Sequence, residues 1–393
     1  MSRLVAITAF ILIASQIAAT ATPTSDEPKF ERIVIDNDFP GAYQVEVADI
    51  NGDKKPDIIA VGGGTCAWYE NPTWKKRIIS TSKDSPDIIT SATADLDGDG
   101  KAEVAIGYDF AMNTPKRGKL LLAVQGKSID DPWTFTKIDD VPSIHRIRWG
   151  DWDGDRRLDL IVAPIFGPDA KPPTYDQSPA QLSIFRTGKD AKVGHWTRST
   201  LAERPVLHAI EVTPNKADGR AEILTADNLG VAILGMVKRG VYDYLNLTSG
   251  TKGDPPKRGA SEIHHGRLRG SDTFYATIEP WHGGTVVIGT LQDLDDQELK
   301  LSHTVIDDTL DEGHALWVAD VDGDGTDEVF AGHRGKDHRV SMYKFDGKTW
   351  NKTVLDKEIA AQDLRGGDIN GDGKPDIVAV GGSTHNVVLY RTK

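Results

Sequence analysis

The sequence predicts an all-β fold, a seven-bladed β-propeller made of four-stranded blades. An acidic block recurs five times, and its starts differ by 46, 56, 169 and 48 residues. Each interval reads as four short strand-like runs, and no helical periodicity of 10 residues or more separates them. The long gap is about three periods, so two degenerate copies lie inside it and the number of units is seven.

The first 21 residues predict an export signal. Arg3 precedes an apolar run of about 11 residues from Leu4 to Ala14, and the small residues Ala18 to Ala21 suit a cleavage site. A membrane anchor is the alternative, but this run is shorter than the roughly 20 residues that span a bilayer. The sequence therefore predicts a signal peptide over 1–21, a linker over 22–29 and a secreted or periplasmic propeller over 30–393.

The amino-acid composition argues against one class of binding partner. The chain of 393 residues carries 46 basic and 59 acidic residues, a net charge of −13, which argues against a nucleic acid because phosphate binding needs Lys and Arg. Cys66 is the single cysteine, so no internal disulfide can form within the chain. No later stretch is apolar enough to span a membrane. We expect a monomer stabilised by something other than disulfides.

The first unit shows the strand pattern of each blade. Its four runs are Gln44 to Ala48, Ile58 to Val61, Ala67 to Tyr69 and Lys75 to Ile79. Fourth strands are predicted in the next five units at Trp133 to Ile138, Trp196 to Leu201, Tyr242 to Leu247, Leu299 to Ile306 and Trp350 to Leu355. The seventh unit lacks a fourth strand. We expect the early run Phe30 to Ile35 to supply it, which would hide an open sheet edge.

The acidic blocks predict calcium sites. Oxygen-bearing side chains stand at relative positions 1, 3, 5 and 9, and a glycine at position 4 allows the sharp turn. An EF-hand is excluded because position 12 has no consistent Glu and the flanks are strands. The predicted ligands are Asp49, Asn51, Asp53 and Asp57; Asp95, Asp97, Asp99 and Glu103; Asp151, Asp153, Asp155 and Asp159; Asp320, Asp322, Asp324 and Glu328; and Asp368, Asn370, Asp372 and Asp376. Five copies in one register favour a structural role for Ca²⁺ over ordinary solvated turns.

These blocks, each followed by a strand such as Ile377 to Gly381, carry a family resemblance. The chain resembles the FG-GAP/VCBS repeat of integrin-like propellers and many secreted bacterial proteins. That resemblance implies the propeller fold and says little of function. The fourth and fifth units depart from the pattern, so calcium binding there stays open.

Histidines recur at one offset before the acidic blocks. His145 and His314 stand six residues ahead of the first acid in units three and six, His208 has the matching place in unit four, and the pair His264–His265 is the candidate in unit five. Tyr43, Ile89 and Gln362 fill the offset elsewhere. The offset begins the innermost strand, so we expect these imidazoles to meet at the channel axis. They predict a Zn²⁺ or other divalent transition-metal site, and plain hydrogen-bonded histidines are the alternative.

Loops on the same face add candidates for acid–base work. The segment Glu279 to Gly283 follows the second strand of unit five and offers Glu279 or His282 as a general base. Trp281, Tyr108 and Tyr175 offer flat faces on which a sugar could stack, although plain packing explains them equally well.

A narrower resemblance follows from the segments Ile278 to Gly283 and Ala67 to Pro72. Together with the histidines they look like the propeller part of the aldos-2-ulose dehydratase family, which eliminates water from a keto-sugar at a metal-bearing propeller. The resemblance implies metal ligation by His145, His208, His265 and His314, and acid–base work by Glu279 and His282.

Two functions from different classes remain open. The first is a metal-dependent carbohydrate lyase or dehydratase, a carbon–oxygen lyase that acts at the central channel. The second is a non-catalytic propeller that binds a glycan or a protein on the same face. The predicted partner is a carbohydrate ligand or substrate, and a protein is the alternative under the second function.

Overall fold

The computed structural model describes residues 27–215, 218–238, 241–270, 272–294 and 298–393. The predicted signal peptide and the first part of the predicted linker lie outside the described residues. No helix in the described ranges has the length and apolar character needed to cross a membrane.

Within these described ranges 29 strands form seven sheets, which confirms the predicted seven-bladed propeller. The N-terminal strand and the first three blades comprise β1 (Phe30–Asp36); β2 (Ala42–Ala48), β3 (Asp57–Gly62), β4 (Thr65–Glu70) and β5 (Lys75–Ser80); β6 (Thr90–Ala94), β7 (Glu103–Tyr108), β8 (Lys119–Val124) and β9 (Thr134–Asp140); and β10 (Ile144–Gly150), β11 (Asp159–Pro164), β12 (Ala180–Arg186) and β13 (Thr197–Arg204). Blades four and five comprise β14 (Ala209–Pro214), β15 (Ala221–Asp227), β16 (Gly230–Lys238) and β17 (Val241–Thr248); and β18 (Glu262–Arg267), β19 (Thr273–Glu279), β20 (Thr285–Leu294), β21 (Glu298–Leu301) and β22 (Thr304–Asp307). Blades six and seven comprise β23 (Gly313–Ala319), β24 (Glu328–His333), β25 (Arg339–Phe345) and β26 (Trp350–Asp356); and β27 (Ala361–Gly367), β28 (Asp376–Gly381) and β29 (Asn386–Thr392).

The N-terminal strand closes blade seven, as predicted. β1 pairs antiparallel with β29, from Phe30 opposite Thr392 to Val34 opposite Val388, and the sheet order is β1-β29-β28-β27. Arg32 adds an ion pair, its Nε lying 2.8 Å from Asp356 Oδ2 of blade six. The closure covers an edge that would otherwise expose unpaired backbone groups.

Apolar side chains fill the seams between blades. Among the described residues seven buried clusters each join two neighbouring blades around the ring. Trp68 of blade one packs with Leu121 of blade two in one such cluster. The second strands are buried along most of their length, and β3, with the sequence Asp-Ile-Ile-Ala-Val-Gly, is buried at every residue. Because every seam depends on both of its blades, the ring stabilises each blade.

Blade five departs from the prediction at its outer edge. The predicted single strand over Leu299 to Ile306 is two short strands, β21 and β22, and both pair with β20. β20 is 10 residues long, so it reaches past one outer strand and accommodates two in succession. The break falls at Ser302, whose hydroxyl accepts a hydrogen bond from the Thr290 N–H at 2.9 Å.

The antiparallel order separates two faces of the ring. Loops joining first and second strands, which carry the acidic blocks, leave from one face. The starts of the first strands and the loops joining second and third strands lie at the opposite face. Both faces are made of loops, and the described helical structure is limited to a 3₁₀ turn at Ala191–Val193.

Candidate metal centre in the central channel

Three histidines enter the channel in the same pose. The Nδ1 atom of His145 lies 3.0 Å from the His208 carbonyl, that of His208 lies 2.8 Å from the Ser261 carbonyl, and that of His314 lies 2.6 Å from the Gln362 carbonyl. Each bond reaches the next blade. A carbonyl only accepts, so Nδ1 carries the hydrogen and, in the neutral ring, Nε2 keeps a lone pair. The lone pairs therefore face the channel.

A fourth histidine joins them from a loop. His282 stands between β19 and β20, and its Nε2 lies 3.0 Å from Nε2 of His208. One ring nitrogen from each of His208, His282 and His314 lies within 4.8 Å of the others. We call these three residues the metal triad and, with His145, the axial histidines. Three neutral imidazoles are ligands that suit Zn²⁺ or a similar cation.

His145 is set apart by its neighbours. Its Nε2 lies 2.8 Å from the Tyr43 hydroxyl and 3.1 Å from an Arg146 guanidinium nitrogen. A guanidinium so close makes a metal ion unfavourable at this nitrogen. The Tyr43 hydroxyl also lies 3.3 Å from His314 Nε2, so it bridges His145 and the triad.

His282 has a basic partner of its own. Its Nδ1 lies 3.2 Å from an Arg334 nitrogen, and arginine only donates, so Nδ1 accepts and Nε2 of the neutral ring carries the hydrogen. That hydrogen then points to the lone pair of His208. For His282 to ligate a metal through Nε2, its proton must shift to Nδ1 and Arg334 must turn away, whereas His208 and His314 are already set for ligation.

The axial histidines are held neutral. Burial lowers the pKa of His145 and His208 well below the ordinary value, and the nearby Arg146 charge lowers it further. Burial and the Arg334 charge do the same to the pKa of His282 and His314. Neutral imidazole is the form that binds a metal or accepts a proton.

A buried carboxyl group stands behind His208. Glu262 begins β18 and is 5% exposed. Its Oε1 lies 3.0 Å from His208 Nδ1 and 3.8 Å from Arg146 Nη2. Burial raises the pKa of Glu262 to about 7. Sequence reasoning missed this residue, which no motif marks.

His265 does not reach the axis, which corrects its prediction as an axial ligand. Its Nδ1 lies 3.1 Å from Glu211 Oε1, and Ser261 occupies the offset in blade five, since its carbonyl receives the bond from His208. In the other units the offset is counted back from the acidic loop. Blade five has a short turn there instead, in which the Leu268 N–H donates to the Asp272 carbonyl at 2.7 Å, so this blade offers no acidic residue from which to count.

Glu279 also lies apart from the axial histidines. It is fully buried at the end of β19, where its carboxylate accepts hydrogen bonds from Thr251 and Thr277 at 2.9 Å and pairs with His303 Nε2 at 2.9 Å. These contacts tie the loop after β17 to blade five. The other predicted acid–base residue, His282, is in the triad.

Aromatic residues wall the mouth of the channel. The Phe110 ring centroid lies 5.9 Å from that of His145, and the Trp281 centroid 4.8 Å from that of His282. Tyr175 stacks on Phe166 at 4.6 Å and meets Trp281 edge-on. Tyr108, by contrast, packs against the seam between blades one and two. The wall is thus built from three of the long loops of this face.

The acidic loops share one hydrogen-bonded turn. In blade two the Asp95 carboxylate accepts the Gly98 N–H at 2.7 Å and the Gly100 N–H at 2.9 Å. The glycine at position 4 has a φ of 75–79° in all five loops, the left-handed region that favours glycine. Acid oxygens come within 4.8 Å of one another in three loops, in the groups Asp95, Asp97 and Asp99; Asp151, Asp153 and Asp155; and Asp320, Asp322 and Glu328.

Position 9 of each acidic loop is a buried acid. Burial raises the pKa of Asp57 and Asp159 to about 7 and that of Glu328 to about 8, and neighbouring acids in each loop add to the shift. One carboxylate oxygen each of Asp159 and Asp376 is buried without a hydrogen-bond partner. Crowded oxygens of this kind suit a hard divalent cation such as Ca²⁺.

Comparison with known proteins gives two matching family models. The FG-GAP-like repeat model matches residues 49–106 and 320–379, which contain four of the five acidic loops. The model described as aldos-2-ulose dehydratase, β-propeller domain, matches residues 120–292. That second stretch contains three of the four axial histidines.

Individual proteins are similar to this chain as well. Aldos-2-ulose dehydratase of Phanerodontia chrysosporium is 23% identical over 347 residues, covering 79% of this chain and 38% of the relative, so the chain spans well under half the length of that protein. A lectin of Agrocybe aegerita, whose structure concerns recognition of non-reducing terminal N-acetylglucosamine, has a TM-score of 0.50 at 14% identity and 81% coverage of both chains.

A second solved structure supports the fold. The extracellular domain of a one-component system of B. thetaiotaomicron has a TM-score of 0.52 at 10% identity, covering 92% of this chain and 40% of that one. The chain is therefore a seven-bladed propeller that carries FG-GAP-like repeats and is similar, over its middle blades, to the β-propeller domain of aldos-2-ulose dehydratase.

Proposed function

We propose that the protein is a metal-dependent carbohydrate lyase or dehydratase that removes water from a keto-sugar at the central channel. The observation that carries the proposal is the convergence of three neutral imidazoles, His208, His282 and His314, beside a tyrosine hydroxyl. The match to the aldos-2-ulose dehydratase propeller model over residues 120–292 supports the substrate class.

The residues at the axis suit an elimination. His208 and His314 would hold the metal with His282, and the bound cation would supply a Lewis acid for a carbonyl oxygen. In the reaction a base removes the proton next to the carbonyl, an acid protonates the leaving hydroxyl, a C=C bond forms and water departs. The Tyr43 hydroxyl, bonded to His145 Nε2, can move a proton between substrate and imidazole.

Arg146 and Arg334 set the electrostatics of the proposed site. Arg146 contacts His145, and Arg334 contacts His282. Their charges oppose protonation of the axial histidines and favour negative charge that develops on the substrate oxygen. Phe110 and Trp281 provide apolar walls that limit water around the reacting carbons.

The rest of the proposed function concerns the scaffold. We infer that Ca²⁺ in the acidic loops stabilises the ring and that the predicted signal peptide directs the protein to the periplasm or the exterior as a monomer. Unpartnered buried oxygens of Asp159 and Asp376 support the calcium role, since such groups are costly unless a cation or hydrogen bond satisfies them.

Metal analysis and a keto-sugar assay test the enzymatic proposal. Protein purified without added metal should contain about one transition-metal ion per chain and should convert keto-sugars such as aldos-2-uloses to unsaturated products that absorb in the ultraviolet. His208→Ala and His314→Ala should lose both the metal and the activity. His338→Ala, in a loop of the same face but outside the axial contacts, should keep both. Full turnover in the two triad variants would disprove the proposal.

A non-catalytic glycan-binding propeller is the second candidate. Burial favours it, because His208 is 0% exposed and His145 and His314 are 1% exposed, and a buried, hydrogen-bonded cluster can serve simply to fill the channel. In that case glycans should bind at the aromatic mouth, Trp281→Ala should abolish binding, and metal removal should leave the affinity unchanged. Calorimetry with neutral oligosaccharides separates the two candidates.

A further inference from the structure

Two acidic loops hold a lysine where a metal ion would sit. In blade two the Lys192 ammonium lies 2.6 Å from Asp97 and 3.1 Å from Glu103. In blade six the Lys344 ammonium contacts Asp322 and lies 3.4 Å from Glu328. Both ammonium groups also come within 3.6 Å of the acid at position 5, so both contact the same three positions of the nine-residue loop.

The two lysines arrive from different parts of the fold. Lys344 lies on β25, the third strand of the same blade. Lys192 belongs to the 3₁₀ turn of blade three and therefore reaches across to blade two. The side chain of Asp190 caps that turn by accepting the Lys192 N–H at 3.1 Å. Two unrelated segments thus deliver an ammonium group to equivalent positions in two loops. This recurrence indicates that the three acids of each loop form a position that attracts a cation.

The acid at position 9 distinguishes these loops from the others. It is Glu103 and Glu328 in blades two and six, and aspartate in blades one, three and seven. Oε2 of each glutamate accepts a loop N–H, from Leu96 at 3.0 Å or Val321 at 3.1 Å. The other oxygen, Oε1, is the one that faces the lysine.

The aspartates at position 9 share the contact with the loop, since Asp57 accepts the Ile50 N–H at 3.0 Å, but they use their other oxygen differently. The shorter Asp57 and Asp376 bond backbone N–H groups of Asn71 and Thr392 at 2.8 Å. Asp159 and Asp376 keep a buried oxygen without a hydrogen-bond partner; Oε1 of Glu328 has none either, but the Lys344 ammonium lies 3.4 Å from it. In the described residues around the loops of blades one, three and seven, no lysine contacts three of the acids at once, although Lys55 lies 3.6 Å from Asp53 and Arg186 lies 3.7 Å from Asp153.

We propose that the acidic loops are of two kinds: those of blades two and six carry a lysine as a built-in cation and take no calcium, and those of blades one, three and seven bind the divalent ion. An ammonium group and Ca²⁺ repel each other and compete for the same oxygens, so one loop holds one of them. Only the second half of this inference, calcium binding in blades one, three and seven, rests on the proposed calcium role. Lys192 thereby joins blades two and three without a metal.

Calcium titration of the full, metal-free chain tests the assignment. The wild type should bind about three Ca²⁺ per chain by calorimetry. Lys192→Met and Lys344→Met should each bind one more ion, and the double variant two more. Lys101→Met and Lys348→Met are matched controls that remove lysines near the same loops whose ammonium groups form no ion pair with the loop acids among the described residues, and they should bind as the wild type does.

The outcomes separate the two halves of the idea. No gain in either lysine variant, with about five ions in the wild type, overturns the assignment. A gain of one ion in each variant from a wild type that binds none keeps the lysine assignment and disproves the calcium role proposed for blades one, three and seven.

A second measurement needs no variant. Acetylation of the wild type, followed by mass spectrometry, should label Lys192 and Lys344 at least about tenfold more slowly than Lys101 and Lys348, because their ammonium groups are engaged by carboxylates. The slow labelling should persist in calcium. Labelling at the rate of the controls, or acceleration of Lys192 and Lys344 by calcium, overturns the proposal.

Discussion

At the scale of single residues, the axial site is organised by backbone carbonyls. His145, His208 and His314 each give Nδ1–H to the neighbouring blade, so the ring of blades itself fixes the tautomer and the ring orientation. The tautomers of His208 and His314 are therefore already those that bind a metal, and such pre-positioning is what a catalytic or metal site requires. The hydrogen bonds that reach their Nε2 atoms from His282 and Tyr43 have to open first.

Tyr43 is the hydroxyl nearest to two of these imidazoles. Tyr43→Phe removes the group that contacts His145 and His314 at 2.8 and 3.3 Å and leaves the aromatic packing. We expect keto-sugar turnover to fall by about a hundredfold or more, as for loss of a positioned acid–base group, while the metal content stays unchanged. Tyr242→Phe, on the outer strand β17, is the control. Unchanged turnover in Tyr43→Phe would remove the hydroxyl from the mechanism.

Glu262 is expected to act through His208. Glu262→Gln removes a titratable carboxyl group 3.0 Å from His208 Nδ1, and at a pH above its pKa of about 7 the loss of such an outer carboxylate should weaken metal binding by about 10- to 100-fold. Competition with a chromophoric zinc chelator measures the affinity. Glu211→Gln, which removes a carboxylate that pairs with His264, should leave the affinity unchanged. Equal losses in the two variants would mean that Glu262 acts only through the general charge of the channel.

At the scale of elements, features that recur from blade to blade could be predicted from the sequence, and features confined to one blade could not. The closing strand was predictable because Phe30 to Ile35 resembles the other outer strands and the seventh unit lacks one. The position of His265 was wrong because its blade has no acidic loop from which to count. Tyr43 at the shared offset and His282 in its loop can be identified from the sequence, whereas the contacts of Arg334 with His282 and of Glu262 with His208 arise only through the folding of separate blades.

Asp307 ties the last strand of blade five to blade six. Burial alone would raise the pKa of Asp307, but hydrogen bonds from Lys352, Tyr343 and Thr309 lower it from 3.8 to about 2. Because the folded pKa is below the unfolded one, this stabilisation is present above pH of about 4 and is lost as the pH falls towards 2. Asp307→Asn should cost about 2 kcal/mol near neutral pH.

Urea unfolding at several pH values checks this prediction. The difference between the wild type and Asp307→Asn should be full at pH 6 and should shrink steadily as the pH falls from about 4 to about 2. Asp308→Asn, an exposed neighbour, should show little difference at any of these values. A cost that does not change with pH would show that Asp307 contributes by packing and hydrogen bonding alone.

At the scale of the whole molecule, the ring has three kinds of support. Apolar clusters fill each seam between blades, the N-terminal strand closes blade seven, and the acidic loops brace one face. Apolar burial is insensitive to metals, whereas carboxylates placed together repel one another unless a cation lies between them. Under the proposed function, cations brace the face of the acidic loops, and the axial histidines lie towards the opposite face.

Calcium removal should therefore weaken the whole ring. If the loops of blades one, three and seven bind Ca²⁺, each site at a hundredfold excess over its Kd adds about 2.7 kcal/mol, so chelation with EDTA should lower the Tm by several degrees and magnesium should restore little of it. Asp153→Asn removes an acid whose Oδ1 is buried without a hydrogen-bond partner. The variant should have a lower Tm than the wild type in calcium and a similar one in EDTA, as measured by differential scanning calorimetry. A Tm that is the same in calcium and EDTA would mean that the seams and the closing strand support the ring without any metal.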